Sequence, residues 1–355
     1  MSPRTVIALL FCFVLASVPV SAQPEFTPLP VEGYGSQVVP SPDGAVAVAF
    51  TDARAAMIAN MDLSNGMTII DMSDNSVVTA LDGPVDLATS VAFNADGALL
   101  AVVHANGDVA LWNTADWSLR DTHATLHMNA RTLGFLPDGQ TLTLLTSGTQ
   151  PLLLFMDVTS GAIVGMAGRH YTRESELRAI LSEPQGLMRT SAIAAALAPD
   201  GLRYAAANGF DEIVIREIET HDWFTAREGE GDLPQLSIAH MVFANNHTLV
   251  YMLRSGELHE FDVETRTDRL IATVADRLFM MDVSRDGSLI AAVTHDPDAL
   301  FVLDRATGAV IQQVSLPSPQ LAISLNFTPD NSAILLGVLN TEGAGPAAAI
   351  LRITP

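Results

Sequence analysis

The chain has 355 residues, a net charge of −22, 48% hydrophobic residues, a single cysteine and no lysine. That acidity repels nucleic acid and anionic lipid. The missing lysine excludes a Schiff-base amine, a Ser-Lys dyad and a Gly-Lys phosphate loop.

The N-terminus comes first. Arg4 is the only charged residue before Glu25, and it precedes an apolar run from Val6 to Val18 and then Pro19-Val20-Ser21-Ala22. A positive start, a short apolar run and small residues at −3 and −1 predict a secretory signal over 1–22, cleaved after Ala22. The run is shorter than the roughly 20 residues of a spanning helix. Cys12 lies inside it behind Leu9-Leu10-Phe11, which are not the small residues that precede a lipidated cysteine. Disulfides and thiolate metal sites are therefore excluded from 23–355. The expectation is one soluble monomeric domain over 23–355, periplasmic or secreted, with no membrane insertion after cleavage.

From there the sequence repeats a short apolar strand, a turn and a second apolar strand. The turns are Pro42-Asp43-Gly44, Asn94-Ala95-Asp96-Gly97, Pro137-Asp138-Gly139, Pro199-Asp200-Gly201, Asn245-Asn246-His247, Arg285-Asp286-Gly287 and Pro329-Asp330-Asn331. Asp-Gly and Asn read as two-residue hairpin turns, which demand positive φ. The runs after them, such as Ala98–His104 and Ser288–Thr294, are nearly all apolar, as in strands buried on both faces. A third strand ends several units in an acid, as at Asp157, Asp262 and Asp304, and a more polar fourth follows. The Asp-Trp pair recurs at Asp116-Trp117 and Asp222-Trp223. Spacings of 53, 42, 62, 46, 40 and 44 residues between turns match a propeller of four-stranded blades.

The segment Gly107-Asp108-Val109-Ala110-Leu111-Trp112-Asn113 resembles the third strand of a WD40 repeat. The units ending in Asp157, Asp262 and Asp304 resemble its acidic terminus and Thr-Gly turn. The resemblance covers nearly all of 23–355. The opening Gly-His pair is absent, so that family's Asp-His-Ser/Thr-Trp network is not carried over, and the bacterial YVTN-like propellers fit equally. The implied fold is all-β: a seven-bladed β-propeller of four-stranded antiparallel blades. The last unit stops after its third strand, so a strand around Phe26–Glu32 is expected to complete it and close the ring. An edge strand tolerates Pro28 and Pro30.

Function is read from sites, because propellers host enzymes and scaffolds alike. Two loops exceed the repeat, Thr51 to Gly66 and Gly168 to Thr190. The second concentrates Arg169, His170, Tyr171, Arg173, Arg178 and Arg189, with Leu177, Ile180 and Leu181 at helical spacing over Arg173–Ser182. Two readings follow: a docking surface, since Arg, Tyr and apolar anchors dominate hot spots, or a self-packed cap with arginines paired to Glu174, Glu176 and Glu183. His123 and His127 lie on an outer strand and turn, where i and i+4 are about 13 Å apart, too far to share zinc. His295-Asp296-Pro297-Asp298 reads as a solvated turn, and no hydrolase elbow or dinucleotide fingerprint occurs.

The expected function is a non-catalytic scaffold holding a protein partner, without cofactor, metal or nucleic acid, through Arg169, His170, Tyr171, Arg173, Leu177 and Arg178. The alternative is a propeller enzyme or small-ligand binder, such as a lactonase-like hydrolase or a quinone- or haem-dependent oxidoreductase, with a site at the channel mouth. N-terminal sequencing of the exported protein is expected to begin at Gln23; a chain still beginning at Met1 would remove the signal.

Overall fold

The computed structural model describes residues 26–33, 37–51, 67–81, 88–125, 131–145, 153–167, 192–208, 210–220, 222–229, 237–274, 277–295, 298–316, 320–340, 345–346 and 348–353. The apolar runs after the turns form the second strand of each sheet. Leu99–His104 is buried at every position, and Thr248–Leu253 at all but its first. Such strands have no wet face, so each must be sandwiched between neighbouring sheets.

The strands pair in sequence order into antiparallel four-stranded sheets, and these are the seven blades of a β-propeller. The inner strands are Gln37–Pro40, Ala88–Phe93, Arg131–Phe135, Ala192–Leu197, Ile238–Asn245, Leu278–Val283 and Gln320–Phe327. The core is correspondingly seven apolar clusters, each shared by two consecutive blades. Five inner strands carry a bulge at one repeated place, as between Ala88 and Ser90 or Leu278 and Met280, and blade 3 carries its bulge two residues nearer the turn, between Thr132 and Gly134. The outer strands of blades 1 to 6 carry another. Each bulge adds local twist, which a blade fanning out from a central channel requires.

The ring closes as expected. Thr27 pairs with Ile350 and Pro28 with Ala349, so Thr27–Pro28 is the outer strand of blade 7, whose other three strands come from the C-terminal end. A two-residue ladder, Glu32–Gly33 with Gly345–Pro346, extends the joint. Leu29 and Val31 then enter the cluster between blades 7 and 1, with Val38, Ala47, Leu335 and Ile350.

The turns depart from the sequence expectation in one respect. Six inner-to-second connections are four-residue loops: in blade 1, Ser41 N donates to Val46 O at 2.8 Å and Gly44 N to Ser41 O at 2.9 Å. One residue, not two, is left-handed, as in Gly44 with φ of 73°. The aspartate serves another purpose, accepting a backbone amide two residues on, as Asp43 Oδ1 does from Ala45 N at 3.0 Å. Only blade 5, which has Asn246 in place of that aspartate, has the two-residue loop, with Asn245 paired to Thr248.

The acids ending the third strands act alike. Asp157, Asp262 and Asp304 each accept the amide and hydroxyl of a Ser or Thr three residues on, at 2.6 to 2.9 Å. The two Asp-Trp pairs are not equivalent. Trp117 is a left-handed turn residue, φ 55°, whereas Trp223 opens the outer strand of blade 4. They fall two residues apart in the repeat because tolerance of αL, not side-chain identity, governs the turn position, which Asn75, Gly161, Arg266 and Gly308 also occupy.

The clasp should carry measurable stability. In urea denaturation, Leu29→Ala, at a residue 3% exposed, is expected to cost about 2 to 4 kcal/mol. Val77→Ala, on the exposed outer edge of blade 1, should stay within about 0.5 kcal/mol. Equal losses would mean the N-terminal strand is not docked.

Candidate functional site

The sequence-expected residues Arg169, His170, Tyr171, Arg173, Leu177 and Arg178 lie outside the described residues, as does the expected helix over 173–182. The described strands on either side show from which face the connection departs. In an antiparallel blade the inner-to-second and third-to-outer turns fall at one end, and the second-to-third and blade-to-blade connections at the other. Connections 50–67 and 167–192 are of the latter two kinds and leave from the same face.

The opposite face is built of turns nearly constant in length. The third-to-outer turn takes the same step in blades 1 to 6: 71 to 76, 113 to 118, 157 to 162, 217 to 222, 262 to 267 and 304 to 309. The ring tightens here because each inner turn leans on its neighbour. A Cβ on Gly97 would meet Pro42 at 3.6 Å, and one on Gly201 would meet Pro137 at 2.7 Å. Around the closed seam, a Cβ on Gly44 of blade 1 would meet Pro329 of blade 7 at 3.5 Å.

The channel mouth on this face holds a cavity of about 380 Å³, lined by residues of blades 1, 2, 6 and 7, among them Val39, Val91, Phe93, Asp282, Arg285 and Phe327. It lies apart from the expected loop residues, at the channel mouth named in the alternative reading. Two residues before each inner turn, the seven strands place Val39, Ala92, Gly134, Ala196, Val242, Asp282 and Asn326. Five are small or apolar. The two polar ones hold the ring together: Asp282 Oδ2 accepts Phe327 N at 2.8 Å, and Asn326 Nδ2 donates to Val38 O at 2.8 Å. Ser324 Oγ adds to this stitch, accepting Val38 N and Gly337 N at 3.1 Å each. Arg285 spans further, its amide donating to Asn331 Oδ1 at 2.9 Å and its Nη1 reaching past blade 7 to Pro42 O at 2.8 Å.

Asp282 differs electrostatically from the turn acids. Burial in the channel wall pushes its carboxyl up to about 6, against the stabilising amides of Phe327 and Val283. It is half-buried, enclosed by the surrounding strands. Asp43, Asp157, Asp286, Asp304 and Asp330 are held below the usual carboxylate range, first by hydrogen bonds from Ser41, Ser160, Ser284, Thr307 and Thr328 respectively. Those acids stay ionised to hold turns. The signal that finds Asp282 is register: it is the one acid at a position where five other units place small or apolar residues.

A second polar cluster clamps blade 5. Tyr251 Oη donates to Asp268 Oδ1 at 2.7 Å, and His259 Nδ1 lies 2.9 Å from Asp268 Oδ2, with the Tyr251 and His259 rings stacked at 5.0 Å. Burial, and then Asp268, push the Tyr251 hydroxyl well above its ordinary range. Burial raises the Asp268 carboxyl, but the bonds from His259 and Tyr251 outweigh it. These three residues tie the second, third and outer strands together.

His123 turns to blade 3, with Nε2 at 3.0 Å from Val158 O, while His127 is outside the described residues. His295 and Asp298 face each other across a hairpin, 3.5 Å apart. Among the described residues no three His, Cys, Asp or Glu side chains are grouped to hold a metal ion. No helix among them is long and apolar enough to cross a membrane.

No protein-family model matches the chain, and no curated protein does either. Among solved structures the chain is similar to the β-propeller domain of Cps50 (Swd1) from Myceliophteria thermophila, with a TM-score of 0.69 and 16% identity. The match covers 93% of this chain and 100% of that domain. At that identity the likeness is one of fold.

The sign of the Asp282 effect follows from its raised value. Between the ordinary carboxylate pKa and about 6, the folded state holds a proton that the unfolded state has released, so stability falls as pH rises through this window. Asp282→Asn keeps the acceptor for Phe327 N and removes the ionisation. It is expected to stabilise the protein at pH 8 by on the order of 1 to 3 kcal/mol relative to its effect at pH 4. Thermal or urea unfolding at the two pH values reads the difference, and a pH-independent effect would contradict it.

Proposed function

We propose that residues 1–22 direct export and that the propeller works in the periplasm, or beyond the cell, as a non-catalytic scaffold holding a protein partner. It belongs on this reading to the WD40-like or YVTN-like propellers. One observation carries it. The turns on the channel-mouth face keep nearly constant lengths, whereas the longest connections, 50–67 and 167–192, leave together from the other face. Variable loops on a rigid framework are where binding surfaces are built.

The connection 167–192 contributes Arg169, His170, Tyr171, Arg173, Leu177 and Arg178. Planar guanidinium groups and aromatic rings lose little entropy on docking and bury much surface. Concentrated in a chain of net charge −22, these arginines supply local positive charge that favours an acidic patch on the partner.

The test is affinity purification of tagged 23–355 from its own envelope fraction, beside a form with 168–190 replaced by a short turn and a triple Arg169→Ala, Arg173→Ala, Arg178→Ala variant. One defined partner, identified by mass spectrometry, is expected with the intact form. The triple variant should retain it at least about tenfold less well. Equal recovery by all three forms would move the interface elsewhere, and recovery of none would remove the scaffold reading.

A further inference from the structure

We propose that the channel mouth on the constant-length face is a binding site for a small amphipathic organic cation, an ammonium group on an apolar body, with Asp282 as its counter-ion. The site is separate from the variable face, and its test does not depend on the scaffold reading.

Size and lining come first. A cavity of about 380 Å³ falls within the range of small-ligand sites, which combine apolar walls with few polar groups. Val39, Val91, Phe93, Val283 and Phe327 supply the walls. The lining hydroxyls are already committed, Ser41 Oγ to Asp43 at 2.6 Å and Thr328 Oγ1 to Asp330 at 2.7 Å. Among the described residues Asp282 is left as the one acidic group in the lining.

Charge sets the ligand class. A carboxylate among apolar groups is unfavourable unless paired. What acts on Asp282 is burial and the amides of Phe327 and Val283, with no basic side chain contributing. Arg285, the basic residue in the lining, is engaged with Pro42 O.

The inter-blade stitch does not demand an acid either. Asn326, at the equivalent position of blade 7, ties its strand to blade 1 as an amide, and an Asn at 282 would equally accept Phe327 N. The protein therefore keeps an ionisable group where its structural task is met without charge. A cation entering from solvent supplies the missing counter-charge, and the protein's acidity raises the local concentration of cations. An anion would meet Asp282 without compensation, and a neutral ligand would leave the carboxylate unpaired.

The probes are 2-phenylethylammonium, the neutral 2-phenylethanol of similar shape and the anion 3-phenylpropionate, titrated into 23–355 at pH 7.5. Calorimetry gives affinity and NMR follows the Phe93 and Phe327 rings. The cation is expected to bind at 1:1 and shift both rings, with the alcohol at least about tenfold weaker and the anion not binding. Asp282→Asn, checked for an unchanged melting profile shape, should lose the cation's advantage over the alcohol. If that variant does not fold, the comparison of three probes on the unaltered protein decides. Equal affinity for cation and alcohol, full retention of cation binding in folded Asp282→Asn, or no binding by any probe at 10-millimolar order (about the weakest useful affinity) would each overturn the proposal.

Discussion

A blade whose central strands are apolar on both faces has to be covered on both sides, and only a closed ring gives every blade two neighbours. Closure here rests on a short clasp. Two residue pairs, Thr27 with Ile350 and Pro28 with Ala349, complete blade 7, and Leu29 and Val31 fill the cluster against blade 1. With no cysteine after Cys12, no disulfide backs it. Side-chain bonds strengthen the same seam: Asp282 to Phe327, Ser324 and Asn326 to Val38, and Arg285 to Pro42 join blades 6, 7 and 1 at the channel. Elsewhere, neighbours are tied further out, as where Arg305 and Arg269 converge on Glu260 between blades 5 and 6 at 2.6 and 2.9 Å.

The rigidity that results is unevenly used. On one face the inner turns touch one another through left-handed glycines, most tightly at Gly201 against Pro137, and their aspartates are tied into local hydrogen bonds. That face keeps nearly constant turn lengths, and among the described residues its one carboxylate without a basic partner in the channel wall is Asp282, held by the amide of Phe327. On the other face the connections between described strands vary in length, as 104–108 and 167–192 show. A protein partner and a small cation would therefore address opposite ends of one channel.

Much of the fold was legible in the sequence because a propeller writes its period directly. The seven turns, the doubly buried second strands and the missing fourth strand of the last unit all follow from apolar runs and turn residues. The turn geometry was less legible: Asp-Gly reads as a two-residue hairpin, and only the Ser41 to Val46 hydrogen bond shows the longer loop in which Asp is a cap and Gly alone is left-handed. The Asp-Trp pairs misled for a related reason, since αL tolerance and not residue identity selects the position. Asp282 escaped notice among forty acids because its distinction lies in what the other six units place at the same register, and that emerges only when all inner strands are superposed on the ring.

Clasp pairing is tested most directly by a disulfide. Opposed residues of an antiparallel pair lie within about 5.5 Å at Cβ, and cysteines with Cα atoms roughly 4.4 to 6.8 Å apart can be bridged. The chain from 23 to 355 offers no competing thiol. Thr27→Cys with Ile350→Cys is predicted to form an intramolecular disulfide under mild oxidation, read as complete loss of free thiol by mass spectrometry, with a higher melting temperature than the reduced form. Two thiols that stay free in the folded protein, or a bridge forming equally well from Thr27→Cys to Arg352→Cys, would contradict closure of the ring by the N-terminal strand.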